Sequence, residues 1–135
     1  MIDEKVIVDK YLGVPYRHQG RNLEGLDCWG LIVCIYKDFG VELFDIENYP
    51  KDWSSKGSNY FLENYYQQWS IVKVPQLWDV VLFNGSKGMP NHAGVVLSGE
   101  RFIHSRRGGT VIGNLYDWKD KVQQFYRYKG LNGNA

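Results

Sequence analysis

An α+β domain, with helices leading and an antiparallel sheet of about five strands following, is the fold this sequence predicts. Three observations carry it. Between Cys28 and Phe39 the apolar residues Leu31, Ile32, Ile35 and Phe39 recur at three- and four-residue steps, the stripe of a core-facing helix. From residue 79 onward, short segments rich in β-branched and aromatic residues are separated by the turn signals NGSKG, SGE and RRGG. Helical signals precede strand signals instead of alternating with them, which separates α+β from α/β.

Taken in order, residues 2 to 12 read as a short helix, with Ile2, Val6 and Leu12 forming one apolar side. Gly13, Pro15, Gly20, Asn22 and Gly25 then mark an irregular segment. The helix from Cys28 to Phe39 follows, with Gly40 placed to end it. Residues 41 to 57 read as a loop, and an aromatic-rich helix is expected from about Asn59 to Trp69. The expected strands are Asp79–Phe83, Ala93–Leu97, Arg101–His104, Thr110–Ile112 and Gln123–Tyr128. Spacing this tight favours antiparallel meanders over helical crossovers. No repeat, low-complexity tract or linker interrupts the chain, so residues 1–135 are expected to form a single domain.

At 135 residues, folding can bury roughly two-thirds of the unfolded chain's surface. A formal net charge of +1 gives no electrostatic case for nucleic acid or an anionic membrane. The opening MIDEKVIVDKYLG lacks a basic segment before a long apolar core, so no signal peptide is expected. No apolar run approaches the ~18 residues a membrane span needs. The chain is expected to be made in a cytoplasm.

The chemistry centres on GLDCWGLIVCIY, residues 25 to 36. Cys28 stands where the helical periodicity begins, and a helix N-terminus can stabilise a thiolate through unpaired N–H groups and the positive end of the macrodipole. Its backbone N–H would lie near a forming oxyanion, and Gly30, one turn in, is read as keeping the approach open. Cys34 lies within the apolar helix and is read as core. Two cysteines six residues apart on one helix point in different directions, so no bridge is expected.

Three histidines could supply a base. His92, in NHAGVVL, starts one expected strand, and His104, in RFIHSRR, ends the next. If those strands pair, both fall at the same sheet edge. His92 could then take the thiol proton while His104 holds its second ring nitrogen. His18, in a loop, is read as solvated or capping. The bland alternatives are an inert, buried Cys28 and an Asp27 that only caps the helix. For the Tyr and Trp cluster at 49 to 69, core packing is the default.

PYRHQG followed by LDCWGL, WDVVLF, NHAGVVL and FIHS resembles the NlpC-type cell-wall peptidases, a papain-like cysteine peptidase family. The likeness runs from about Tyr11 to Ile112. It implies Cys28 as nucleophile, His92 as base and His104 as orienting residue. It also implies Tyr16 near the oxyanion and substrate, and Asp27 as a residue that recognises the free amine of a peptide stem. The implied substrate is bacterial peptidoglycan, cut between D-glutamate, through its γ-carboxyl, and the diamino acid at position three of the stem. No metal or cofactor is implied.

Two positions depart from the family pattern. Trp29 replaces the frequent Ser after the nucleophile and is similar to the phage-tail branch. Trp78 stands where a Gly usually precedes the Asp of the first strand. Delivery to the cell wall in a phage or prophage tail, with other tail proteins as partners, is the corresponding expectation. A catalytically silent tail module of the same fold, or an amidase or acyltransferase on the same scaffold, are the alternatives.

Overall fold

The computed structural model describes residues 2–43, 68–84 and 90–130. Helix α1, Glu4–Tyr11, is capped by Asp3, whose carboxylate accepts from the Lys5 N–H. Its inward face differs from the expected one. Ile7 and Tyr11, four residues apart, are buried, whereas Val6 and Leu12 are 55% and 51% exposed. The tyrosine decides the rotation: its ring enters the core while its hydroxyl donates to Asp38 at 2.6 Å.

Helix α2, Cys28–Asp38, buries Leu31, Ile32, Ile35 and Tyr36 as the stripe predicts, with Phe39 partly buried beside them. Gly40, at φ +84°, follows the helix in the left-handed conformation that glycine accepts readily. Before α2, the irregular segment contains a small antiparallel hairpin, β1 (Arg21–Asn22) with β2 (Gly25–Leu26).

The main sheet has six strands: β3 (Trp69–Val72), β4 (Val80–Asn84), β5 (Pro90–Val96), β6 (Arg101–Arg106), β7 (Gly109–Asn114) and β8 (Val122–Tyr128). Their order is β3-β8-β4-β5-β6-β7, with every pairing antiparallel. Strands β4 to β7 form the expected meander, and β8 returns to pair with β4. The sixth strand corrects the expected five. It also corrects the end of the expected aromatic helix, because Trp69 begins β3; residues 59–67 of that helix, and the expected loop beyond Leu43, lie outside the described residues. Trp69 is buried against the rings of Tyr36 and Tyr128, while its neighbour Ser70 is exposed, the residue-by-residue alternation of a strand.

That alternation divides the sheet into two faces. Leu82, Ala93, Val95 and Ile103 share a core with α2, whereas Val81, Phe83, Val96 and Phe102 form a second cluster on the other face with Leu115. At the start of β4, Trp78 has φ +77°, so it adopts the backbone conformation a glycine would take. Its environment holds it there. Its ring is 4.8 Å from Phe39, its N–H donates to the Val96 carbonyl, and its own carbonyl accepts from the Tyr36 hydroxyl. The next residue, buried Asp79, pairs with Arg127 on β8 through contacts of 3.0 and 2.8 Å.

Candidate active site

The mouth of α2 is built around Asp27. One carboxylate oxygen accepts from the Gly30 N–H at 2.7 Å and from the Arg21 guanidinium at 3.0 Å. The other accepts from the Gln19 N–H at 2.8 Å. The residue is buried, and its charge is partly balanced by Arg21. Both oxygens are thus engaged inside the protein. Gly30 has a different use from the expected one: a Cβ there would lie 2.0 Å from the Gly20 carbonyl oxygen, so the glycine admits the segment carrying Gly20 and Arg21 onto the helix.

Cys28, the first residue of α2, is half-buried, with the backbone N–H groups of Ala93 and Trp29 near its sulfur. Burial, and next the Asp27 carboxylate, push its thiol up to about 12; the two N–H groups and Arg21 act in the opposite direction. The helix terminus stands where the sequence placed it, with desolvation and the Asp27 carboxylate acting against its effect on the thiol. Cys34 is a free thiol, partly buried, and its sulfur lies 3.3 Å from the Arg21 carbonyl.

Tyr16 is set beside this mouth by a parallel bridge to Leu26, flanked by Leu26 N–H to Pro15 carbonyl and Arg17 N–H to Leu26 carbonyl hydrogen bonds. Partial burial, followed by Cys28 and Asp27, raises the pKa of its hydroxyl, with Arg107 opposing them. The Ser105 hydroxyl donates to the Leu26 carbonyl at 2.7 Å and ties the same segment to β6.

His92 and His104 come together as the strand reading required. Phe83 of β4 pairs with His92 of β5, and β5 pairs with β6 in the register Val95↔Ile103, Val96↔Phe102. Extending that register puts Gly94 across from His104, with both histidines on the face that carries Phe83 and Phe102. His92 Nε2 lies 2.7 Å from His104 Nδ1. Burial first, then the His104 and Arg106 charges, lower the His92 pKa to about 3, and burial followed by Arg106 lowers that of His104 to about 4. Both rings are therefore neutral near pH 7. The Ala93 N–H lies near the sulfur, so the backbone of His92 approaches the helix mouth, and the two rings lie on the sheet face of Phe83 and Phe102. His18 is half-buried in the 13–25 segment.

A family model described as the NlpC/P60 family matches residues 13–127. The chain belongs to the NlpC/P60 family. Its members are generally cysteine peptidases that hydrolyse peptidoglycan. Tail tip assembly protein K of Escherichia phage N15 is 29% identical over 114 residues, which cover 80% of this chain and 47% of that protein. The chain thus spans about half the length of that curated relative. Among solved structures, an NlpC/P60 family protein from Bacillus cereus superposes with a TM-score of 0.66 at 24% identity, over 87% of this chain and 36% of its own. The NlpC/P60 domain of peptidoglycan hydrolase SagA gives 0.60 at 21%, over 93% and 99%. NlpC2 from Trichomonas vaginalis gives 0.70 at 14%, over 92% and 45%. These three likenesses establish the shared α+β fold.

Within this NlpC/P60 chain, several residues that shape the site carried no role in the sequence reading. Gly94 has a direct one: a Cβ there would stand 3.0 Å from the Ile103 carbonyl oxygen and 3.2 Å from His104 Cβ. The two-residue spacing His92-x-Gly94 was its signal, since residues two apart on a strand share a face. Arg21, which charges against Asp27, and Arg106, whose cation acts on both histidines, follow from contacts that cross the fold, and no local spacing announces them.

Proposed function

We propose that this chain is a peptidoglycan stem-peptide hydrolase that cuts the γ-D-glutamyl–diamino acid bond with Cys28, His92 and His104. The observation that carries the reading is the 2.7 Å contact between His92 Nε2 and His104 Nδ1, made from the strand whose Ala93 N–H lies near the Cys28 sulfur. With Nε2 engaged, His92 has Nδ1 left for the thiol. Cys28 attacks the carbonyl carbon as His92 Nδ1 takes its proton. The amide C–N bond then breaks, and that proton passes to the departing amine, leaving a thioester. Water, deprotonated by His92, hydrolyses the thioester and restores the thiol. Because the thiol is raised and both imidazoles are lowered, the proton stays on sulfur until attack, so His92 acts as a general base within the step. A preformed thiolate–imidazolium pair is not required.

In this reading Tyr16 flanks the reacting carbonyl, and Asp27 chiefly builds the helix mouth, with recognition of a free stem amine as a second role. The likeness to a phage tail tip assembly protein supports action within a tail, on the cell wall, alongside other tail proteins. Within the described residues no helix is long and apolar enough to cross a membrane. One domain over residues 1–135 suits the family match over most of the chain. Incubation with purified muropeptides, with products identified by mass, tests the reaction. A second reading, a silent tail module, draws on the raised thiol and on that relative's name. It expects no product from any muropeptide.

A further inference from the structure

One aromatic residue at the histidine pair takes no part in the mechanism above. Trp118 immediately precedes the short 3-10 turn Lys119–Lys121 in the connection between β7 and β8. Its ring centroid lies 5.2 Å from that of His104, 6.0 Å from His92, 5.0 Å from Phe83 and 5.5 Å from Phe102. The contacts to His104 and Phe102 are edge-on, at 81° and 79°. Phe83 stacks on His92 at 5.8 Å and 27°, and Phe102 lies 4.5 Å from His104. Phe83 and Phe102 come from the same strands and the same sheet face as the histidines or their neighbours. Trp118 comes from a separate segment and closes over all four rings.

We propose that Trp118 is a positioning residue for proton transfer, whose indole fixes the His92 and His104 rings and keeps water off the nitrogen–nitrogen contact between them. The inference rests on the base and orienter roles proposed above. Without this cover, water can bond to Nε2 or Nδ1 and compete with the histidine–histidine contact. An apolar wall also disfavours an imidazolium, and both rings are indeed held neutral, with burial as the main cause. Arg106 on β6 is the charged group that acts on both rings, and the Lys121 ammonium stands 5.8 Å from the Trp118 ring. Asp117 and Asp120 flank Trp118 in the same connection, and neither is among the groups that shift the two histidines.

Histidine-selective 15N NMR against pH, on the full chain and its Trp118→Phe and Trp118→Ala variants, tests this without substrate. In the wild type, His92 and His104 should stay neutral well below pH 6.5, and Trp118→Phe should preserve that. Trp118→Ala should raise the titration of the pair by roughly one pH unit or more, because desolvation is lost. If Trp118→Ala does not fold, Trp118→Leu keeps an apolar cover but not the ring edge over His104, and should give a smaller rise of about half a unit. An unchanged titration in Trp118→Ala, or in Trp118→Leu where Trp118→Ala does not fold, overturns the proposal. Where muropeptide hydrolysis is measurable, the acid limb of kcat/KM should move upward with the NMR titration. A protein that hydrolyses no muropeptide would remove the enzymatic reading, while the titration would still decide the role of Trp118.

Discussion

His92 and His104 meet nitrogen to nitrogen, Nε2 to Nδ1, at 2.7 Å. Two neutral imidazoles can do this only if one donates and the other accepts. If His92 Nδ1 is to receive the thiol proton, His92 must carry its own proton on Nε2 and donate it to His104, which must then hold its proton on Nε2. The orienting residue is therefore an acceptor, and that fixes what can replace it.

His104→Asn and His104→Gln offer an amide oxygen to the same N–H and should keep part of the rate. His104→Ala offers nothing and should lose more. His92→Ala should be nearly as damaging as loss of Cys28, because nucleophile and base act as a unit. Single-turnover rates on one muropeptide rank the four variants. A His104→Ala enzyme faster than His104→Gln would show that the acceptor role is wrong.

Acid should destabilise the domain through the same pair. Each imidazole ordinarily binds a proton near pH 6.5, but in the folded chain these two resist until about 3 and 4. Between those limits the unfolded chain holds more protons, so stability is full above about pH 6.5 and falls as the pH drops towards 4. Thermal unfolding followed from pH 7 to pH 5 should show Tm decreasing. The decrease should be shallower when both histidines are replaced by Gln. Equal slopes in the two proteins would mean that other groups set the acid sensitivity.

Asp27→Asn separates the two roles of that residue. The amide oxygen can still accept from the Gly30 N–H, but the charge beside Cys28 is gone. Since the carboxylate helps push the thiol up, the pH midpoint of iodoacetamide labelling at Cys28 should fall. Stems with a free N-terminal amine should also lose more binding than stems still attached to glycan. A lower midpoint with equal losses on both substrates would leave Asp27 as a cap alone.

Trp78→Gly sets backbone relief against packing. A bulky residue at φ +77° costs roughly 1–2 kcal/mol, which glycine would recover. Removing a buried tryptophan costs about 3–5 kcal/mol, so the variant should be less stable by about 1–4 kcal/mol. Urea unfolding measures the balance. A variant as stable as the wild type would mean the ring contributes little against Phe39.

The meander and the catalytic-type residues were legible because their signals are local. The stripe of α2 repeats within one helix, and His92 and His104 fall at one edge once neighbouring strands pair. The rotation of α1 was not legible, since Tyr11 wins its place through Asp38, 27 residues away. Strand β3 was hidden because Trp69–Val72 has only four residues and gains its pairing from β8, at the far end of the chain. The thiol's elevation was missed for a related reason. A helix terminus can be read from periodicity, but the desolvation that acts against it depends on what the fold stacks above the sulfur.

Product analysis by mass on purified muropeptides, using wild type, Cys28→Ala and Cys34→Ala side by side, bears most directly on the central claim. The wild type should release fragments cut between D-glutamate and the diamino acid. Cys34→Ala should do the same at a similar rate, with a stability loss of roughly 1 kcal/mol, and Cys28→Ala should give no fragments while remaining folded. Fragments from Cys28→Ala at the wild-type rate would contradict the assignment of the nucleophile. No fragments from any of the three would contradict the hydrolase itself.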